Sequence, residues 1–220
     1  MIAALALSAL FTAVSCSSTQ NTADTTTGEP AAEEIVTEAP TVRPTDVQHE
    51  TVAAESFQYE IVDGKAVVTK YTGPDGAVEV PAELGGAPVA EIGFYAFEAQ
   101  YAVTSVKLPD TITAVRESAF MDCAAMTEIN IPDAVTVVER GAFAACTSLE
   151  SLRLPAAVSQ VDEEAFTACT SMSVLYIDNP DLPYSNWGLE ELPDLQISAP
   201  EGSAVSRWAA EKGFKLLPSS

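Results

Sequence analysis

At 220 residues the chain has room for one ordinary domain with tails, and a 47% hydrophobic composition supports a packed core. With 32 Asp+Glu against 10 Lys+Arg, the formal net charge of -22 repels phosphate backbones and anionic lipid heads, which excludes nucleic acid as a partner. A single histidine, His49, leaves histidine-based catalysis and multi-histidine metal sites without support.

The chain opens with an apolar run, Ile2 to Val14. It falls short of the roughly 20 residues a spanning helix needs and has the size of a signal-peptide core. Ala13-Val14-Ser15-Cys16 resembles a bacterial lipobox, which implies cleavage before Cys16 and acylation of that cysteine. Residues 1–16 are then a signal peptide, and the protein is held to the bilayer through acyl chains on Cys16. An ordinary secretory signal and a buried apolar helix are the alternatives. No Lys or Arg precedes the run, as a start codon placed too far downstream would explain. Residues 17–55 are rich in Thr, Ser, Ala, Glu and Pro and hold few large apolar groups, a composition that cannot offset ordering entropy and predicts a disordered tether.

Order is expected from about Phe57. Tyr59–Val62 and Ala66–Thr69 read as two strands joined at Asp63-Gly64, a hairpin signal, and Pro74-Asp75-Gly76 makes the next turn. Val78-Glu79-Val80-Pro81 then begins a longer, atypical first unit, so residues 56–96 are assigned to an N-terminal cap plus that unit. From there a fixed period governs the chain. Ala-Phe pairs end at Phe97, Phe120, Phe143 and Phe166, each 23 residues after the last. Cys123, Cys146 and Cys169 keep the same phase, as do Pro109, Pro132 and Pro155, and the strand pairs Val106/Leu108, Ile129/Ile131, Leu152/Leu154 and Leu175/Ile177. A period of roughly 20 to 29 residues with this leucine spacing is the mark of a leucine-rich repeat solenoid. The fold class expected is an α/β solenoid: a short leucine-rich repeat stack with the parallel sheet on the concave face, repeats over residues 97–180, and a C-terminal capping helix and strand within 181–220. In each unit the Ile129-Asn130-Ile131 type of strand ends at Pro132, Val135 and Val138 pack inward on the return, and Glu139 to Ala145 is expected to form a short helical turn carrying Phe143 into the core.

The text IPDAVTVVERGAFAACTSL (131–149), with its copies LPDTITAVRESAFMDCAAM and LPAAVSQVDEEAFTACTSM, resembles the bacterial surface leucine-rich repeats of the BspA type. The first copy departs, with Gln100 where cysteine would sit. The ending GSAVSRWAAEKGFKLL (202–217) resembles that family's closing segment, an amphipathic helix followed by a short strand. The resemblance implies a surface-anchored adhesion or protein-interaction module whose partner is an extracellular protein or glycan of a host matrix or other cells. The other reading is a structural, accessory envelope protein without a tight ligand.

The three repeat cysteines are expected to stack as buried free thiols, since parallel in-register side chains are badly aimed for a disulfide, although one disulfide stays open as an alternative. No C-x-x-C pair calls for zinc, and no metal or cofactor is expected. No nucleophile–base pair or Gly-rich phosphate loop stands out, so no catalytic residue is assigned. The candidate contact residues are the outward strand positions Lys107, Asn130, Arg153 and Tyr176, expected to align across four rungs of the sheet. Trp187, in the stretch Tyr184-Ser185-Asn186-Trp187, is read either as an exposed anchor or as a cap residue beneath its loop.

Overall fold

The computed structural model describes residues 53–218 apart from Pro193, all within one compact unit, Thr45–Ser220. The signal peptide, Cys16, His49 and all but the last residues of the expected tether lie outside the described residues.

The strands are β1 (Phe57–Val62), β2 (Lys65–Tyr71), β3 (Gly76–Glu79), β4 (Glu83–Leu84), β5 (Ala87–Ile92), β6 (Val103–Lys107) and β7 (Ala114–Val115). They continue as β8 (Glu128–Ile129), β9 (Val137–Val138), β10 (Ser151–Leu154), β11 (Gln160–Val161), β12 (Val174–Ile177), β13 (Gln196–Ser198) and β14 (Lys215–Leu217), with helix α1 (Ala204–Lys212) between the last two. β1 and β2 form the expected antiparallel hairpin, turning at Asp63 (φ 50°) and Gly64 (φ 76°), the two positive φ values a tight hairpin turn requires. From β2 onward the chain winds in coils. One ladder runs β1-β2-β5-β7-β9-β11. Two further ladders run β3-β6-β8 and β10-β12-β13-β14. Register advances by one repeat per rung: Val106 faces Ile129, Val115 faces Val138 and Leu152 faces Leu175.

Alternation explains the burial. Val78, Val106, Ile129, Leu152, Leu175 and Ile197 point into the coil and are buried, while Lys107, Glu128, Ser151 and Arg153 are exposed. Down the middle runs an aromatic column. Tyr71 stacks on Phe97 with ring centroids 4.9 Å apart, Phe97 on Phe120 at 5.0 Å, Phe120 on Phe143 at 5.5 Å and Phe143 on Phe166 at 5.9 Å. The ring of Phe57 lies 5.2 Å from Tyr71 at one end.

The Ala-Phe segments correct the expected fold class from α/β to a mostly-β solenoid. They are not helical. Tyr95, Ser118, Gly141 and Glu164 all have left-handed φ, between 53° and 62°, and four residues later so do Ala99, Asp122, Ala145 and Ala168. This alternation of handedness turns every second N–H toward the next coil. Ser118, Phe120 and Asp122 donate to the carbonyls of Arg140, Ala142 and Ala144 at 2.8–2.9 Å, and Gly141, Phe143 and Ala145 repeat the pattern one unit later. A helix would aim those N–H groups along its own axis and leave the coils unjoined on this side. Each left-handed non-glycine residue costs about 1–2 kcal/mol, offset by inter-coil bonds of roughly 0.5–1.5 kcal/mol each and by burial of the Phe between them.

Ser203 caps α1, its Oγ accepting from the N–H of Ser206 at 3.0 Å; Gly213 (φ 84°) ends the helix, Val205 and Ala209 are buried, and β14 pairs parallel to β13. Among the described residues α1 is the one α-helix, and no helix is long and apolar enough to cross a membrane.

Candidate functional site

The four outward residues singled out in the sequence do not form one free surface. Lys107, on β6, gives its ammonium to Glu79 of the neighbouring β3 at 2.8 Å. Arg153, on β10, donates from Nε to Asp178 at 2.7 Å. Both pairs are largely exposed, so each contributes little to stability. Asn130 follows β8, and its amide clamps the preceding rung: Oδ1 accepts from the N–H of Leu108 at 2.7 Å and Nδ2 donates to the Leu108 carbonyl at 3.0 Å. β8 is only two residues long, and the side chain of Asn130 supplies the hydrogen bonds a longer strand would make through its backbone. Tyr176 is half-buried on β12 and pairs in register with Arg153.

The structure does bring Arg153 and Tyr176 together. The β3-β6-β8 ladder ends at β8, a new one begins at β10, and a hollow of about 270 Å³ opens there. Glu128, Ile129, Ser151, Leu152, Arg153 and Tyr176 line it. Lys107 and Asn130 do not.

Trp187 is corrected as a contact residue. It is fully buried and its indole N–H donates to the Val161 carbonyl at 3.0 Å, so it offers nothing to a ligand. Its burial follows from position: the backbone carbonyl of Trp187 accepts from the N–H of Phe166, continuing the Ala-Phe ladder beyond the last repeat. Tyr184 packs beside it at 5.0 Å and stacks on Trp208 of α1 at 3.7 Å, joining the last coil to the helix.

The three repeat cysteine thiols are free, buried and hydrogen-bonded. Cys123, Cys146 and Cys169 donate from Sγ to the carbonyls of Phe97, Phe120 and Phe143 at 3.1, 3.2 and 3.1 Å. Burial pushes the Cys123 and Cys169 thiols up to about 12 and raises Cys146 well above the ordinary range. A thiol held neutral is a poor nucleophile and metal ligand. Gln100, the departure in the first copy, takes over the same bond, its amide donating to the Tyr71 carbonyl at 3.4 Å. Among the described residues no group of three or more His, Cys, Asp or Glu is placed to hold a metal ion.

Two features escaped the sequence reading. Arg116 bridges three rungs, donating from Nε to Glu91 and from Nη1 to Glu139, both at 2.7 Å. The spacing of Arg116 and Glu139, one repeat apart, was the available signal. The second feature is a larger groove of about 650 Å³ on the outer face of the β1-β2-β5-β7 ladder, where the hairpin meets the first coil. Its floor includes Val67 and Gly93, and Phe94 lines it, 58% exposed.

Stacked coils with one-repeat register, a continuous aromatic column and Leu-x-Leu strands define a leucine-rich repeat solenoid. Residues 89–184 match the BspA type leucine rich repeat region in six copies. The fold is similar to that of a leucine-rich repeat protein from T. pallidum, 20% identical with a TM-score of 0.54, over 78% of this chain and 100% of that one. A leucine-rich repeat protein from Bacteroides capillosus is 24% identical with a TM-score of 0.51, over 58% of this chain and 99% of that one. The pneumococcal vaccine antigen PcpA is 16% identical with a TM-score of 0.56, over 74% of this chain and 48% of that one. No curated protein matches the chain.

Proposed function

We propose that the repeat head is a protein-recognition module displayed outside the cytoplasm, held to the envelope by acyl chains on Cys16, and that it binds an extracellular protein through the outward face of β6, β8, β10 and β12. The observation that carries this reading is the hollow at the β8–β10 break, where a cation, Arg153, and an aromatic, Tyr176, sit side by side on neighbouring rungs. Arginine and tyrosine are among the residues most often found as interface anchors. Catalysis has no comparable support, and the hairpin and α1 are read as caps that shield the two ends of the stack. Leucine-rich repeat proteins in general bind other proteins, and PcpA is by its description a vaccine antigen, which fits a surface location.

The test is a binding screen of the whole protein against extracellular-matrix proteins and glycans, with Arg153→Glu and Tyr176→Ala variants beside it. A ligand lost in both variants supports this face. A ligand retained by both moves recognition elsewhere on the head. A structural, accessory role in the envelope is the second reading, favoured by the internal neutralisation of Lys107 by Glu79 and of Arg153 by Asp178. It gains if no ligand is found. Mass spectrometry of the processed protein checks the anchor, since unmodified Cys16 would remove it.

A further inference from the structure

The repeat supplies its own control for which surface residues are explained by folding alone. The three residues before each Ala-Phe pair are Arg116-Glu117-Ser118, Glu139-Arg140-Gly141 and Asp162-Glu163-Glu164 in the later units, charged or small at every position. In the first unit they are Gly93-Phe94-Tyr95. Gly93 has a structural reason: its N–H donates to the Val68 carbonyl at 2.8 Å, and a Cβ there would come within 2.6 Å of that same oxygen. Phe94 and Tyr95 have none. They are 58% and 47% exposed, and Tyr95 carries its bulky side chain at φ 56° where a later unit uses glycine.

Two of these departures, Gly93 and Phe94, shape the groove at the hairpin. The absence of a side chain at Gly93 lowers the floor, Val67 and Val62 make the apolar lining, and Phe94 stands where the other coils place Glu117, Arg140 and Glu163. The charges around it are unbalanced. Glu60 and Asp63 have no ion-pair partner among the described residues; Lys65 is a single counter-charge, and Arg116 is already engaged by Glu91 and Glu139. A second copy of a chain with net charge -22 is a poor fit to an acidic groove.

We infer that this groove is a second binding site, separate from the β8–β10 hollow, and that it takes an extended cationic segment of a partner protein. Apolar side chains of that segment lie on Val62, Val67 and Phe94, and its lysines or arginines face Glu60 and Asp63. Alternate residues of an extended peptide point to opposite sides, so apolar–basic alternation satisfies floor and rim together.

The experiment titrates the full-length protein into fluorescein-labelled hexapeptides of alternating Lys-Val, Glu-Val and Lys-Ser, read by fluorescence anisotropy. Lys-Val should bind, more weakly as salt is raised, and Glu-Val should not. Phe94→Ser should weaken Lys-Val binding at least about tenfold, the loss of one aromatic contact area, without moving the melting temperature, because the ring is exposed. Glu60→Gln with Asp63→Asn should weaken it and flatten its salt dependence. Lys-Val that fails to bind, or binds Phe94→Ser with full affinity, overturns the site. Lys-Ser binding as well as Lys-Val reduces it to general attraction by an acidic chain. A concentration-dependent dimer abolished by Phe94→Ser, seen by sedimentation, would assign the groove to a second copy and overturn the peptide.

Discussion

The thiol of Cys146 donates a hydrogen bond of 3.2 Å to the carbonyl oxygen of Phe120, one coil away, and that carbonyl also accepts the backbone N–H of Cys123. The cysteine column is thus part of the bonding between coils. Cys146→Ala removes both the sulfur volume and the bond and should cost about 1–3 kcal/mol, with Cys146→Ser milder if its hydroxyl reaches the same oxygen. Urea midpoints of the two variants measure this.

The same thiols make stability fall in alkali. Their folded pKa values lie above the ordinary thiol value, so the unfolded chain loses these protons first as pH rises. The stabilisation is complete below about pH 8.5, the free-thiol value, and is lost as pH rises above it, for Cys123 and Cys169 up to about 12, with a slope of up to about 1.4 kcal/mol per pH unit for each thiol. Comparing urea midpoints at neutral and alkaline pH for the native protein and Cys146→Ala isolates this from lysine and tyrosine titration. An unchanged slope would remove the assignment. Thiol reagents should label Cys123, Cys146 and Cys169 only on unfolding.

Phe143 is fully buried between Phe120 and Phe166. Phe143→Ala should cost about 3–5 kcal/mol, read as a loss of melting temperature.

Two glycines with similar backbone angles should respond very differently. Gly188 (φ 82°) would place a Cβ 2.1 Å from Thr167 Oγ1 and 2.9 Å from backbone atoms of Thr167, whereas Gly202 (φ 73°) has nothing within 4 Å. Gly202→Ala should cost only the left-handed penalty, about 1–2 kcal/mol. Gly188→Ala must also push two chain segments apart, so its denaturation midpoint should drop clearly further.

Asn130→Ala should destabilise by about 1–2 kcal/mol, because it strips two hydrogen bonds from the backbone of Leu108. Lys107→Gln should change stability by less than about 1 kcal/mol, as exposed pairs do. A result in the reverse order would mean that the clamp contributes nothing.

These contrasts mark where sequence reading reaches its limit. Periodicity located the inward Val106, Ile129, Leu152 and Leu175 column and the Phe97–Phe166 column, since side-chain type and spacing determine burial directly. It missed the left-handed residues because Ser118, Asp122, Ala145 and Glu164 carry no glycine signature; inter-coil bonds impose that geometry against local preference. It placed Lys107, Asn130, Arg153 and Tyr176 outward, but whether an outward side chain is free depends on partners such as Glu79, Asp178 and the Leu108 backbone, which lie a coil away. Phe94 was visible as a departure from the repeat, but its significance needed the hairpin beside it.

Because the Ala-Phe ladder of each coil is satisfied by the adjacent coil in constant register, the molecule has a natural quantum of length. Excising residues 118–140 would bring Glu117 to Gly141 with the hydrogen-bond phase, the aromatic column and the thiol column all rejoined, whereas removing one residue more or fewer would put every later side chain on the wrong face. Descendants of such a chain can therefore change their reach by whole coils while keeping both ends intact, and a 23-residue deletion that still melts cooperatively would display that freedom directly.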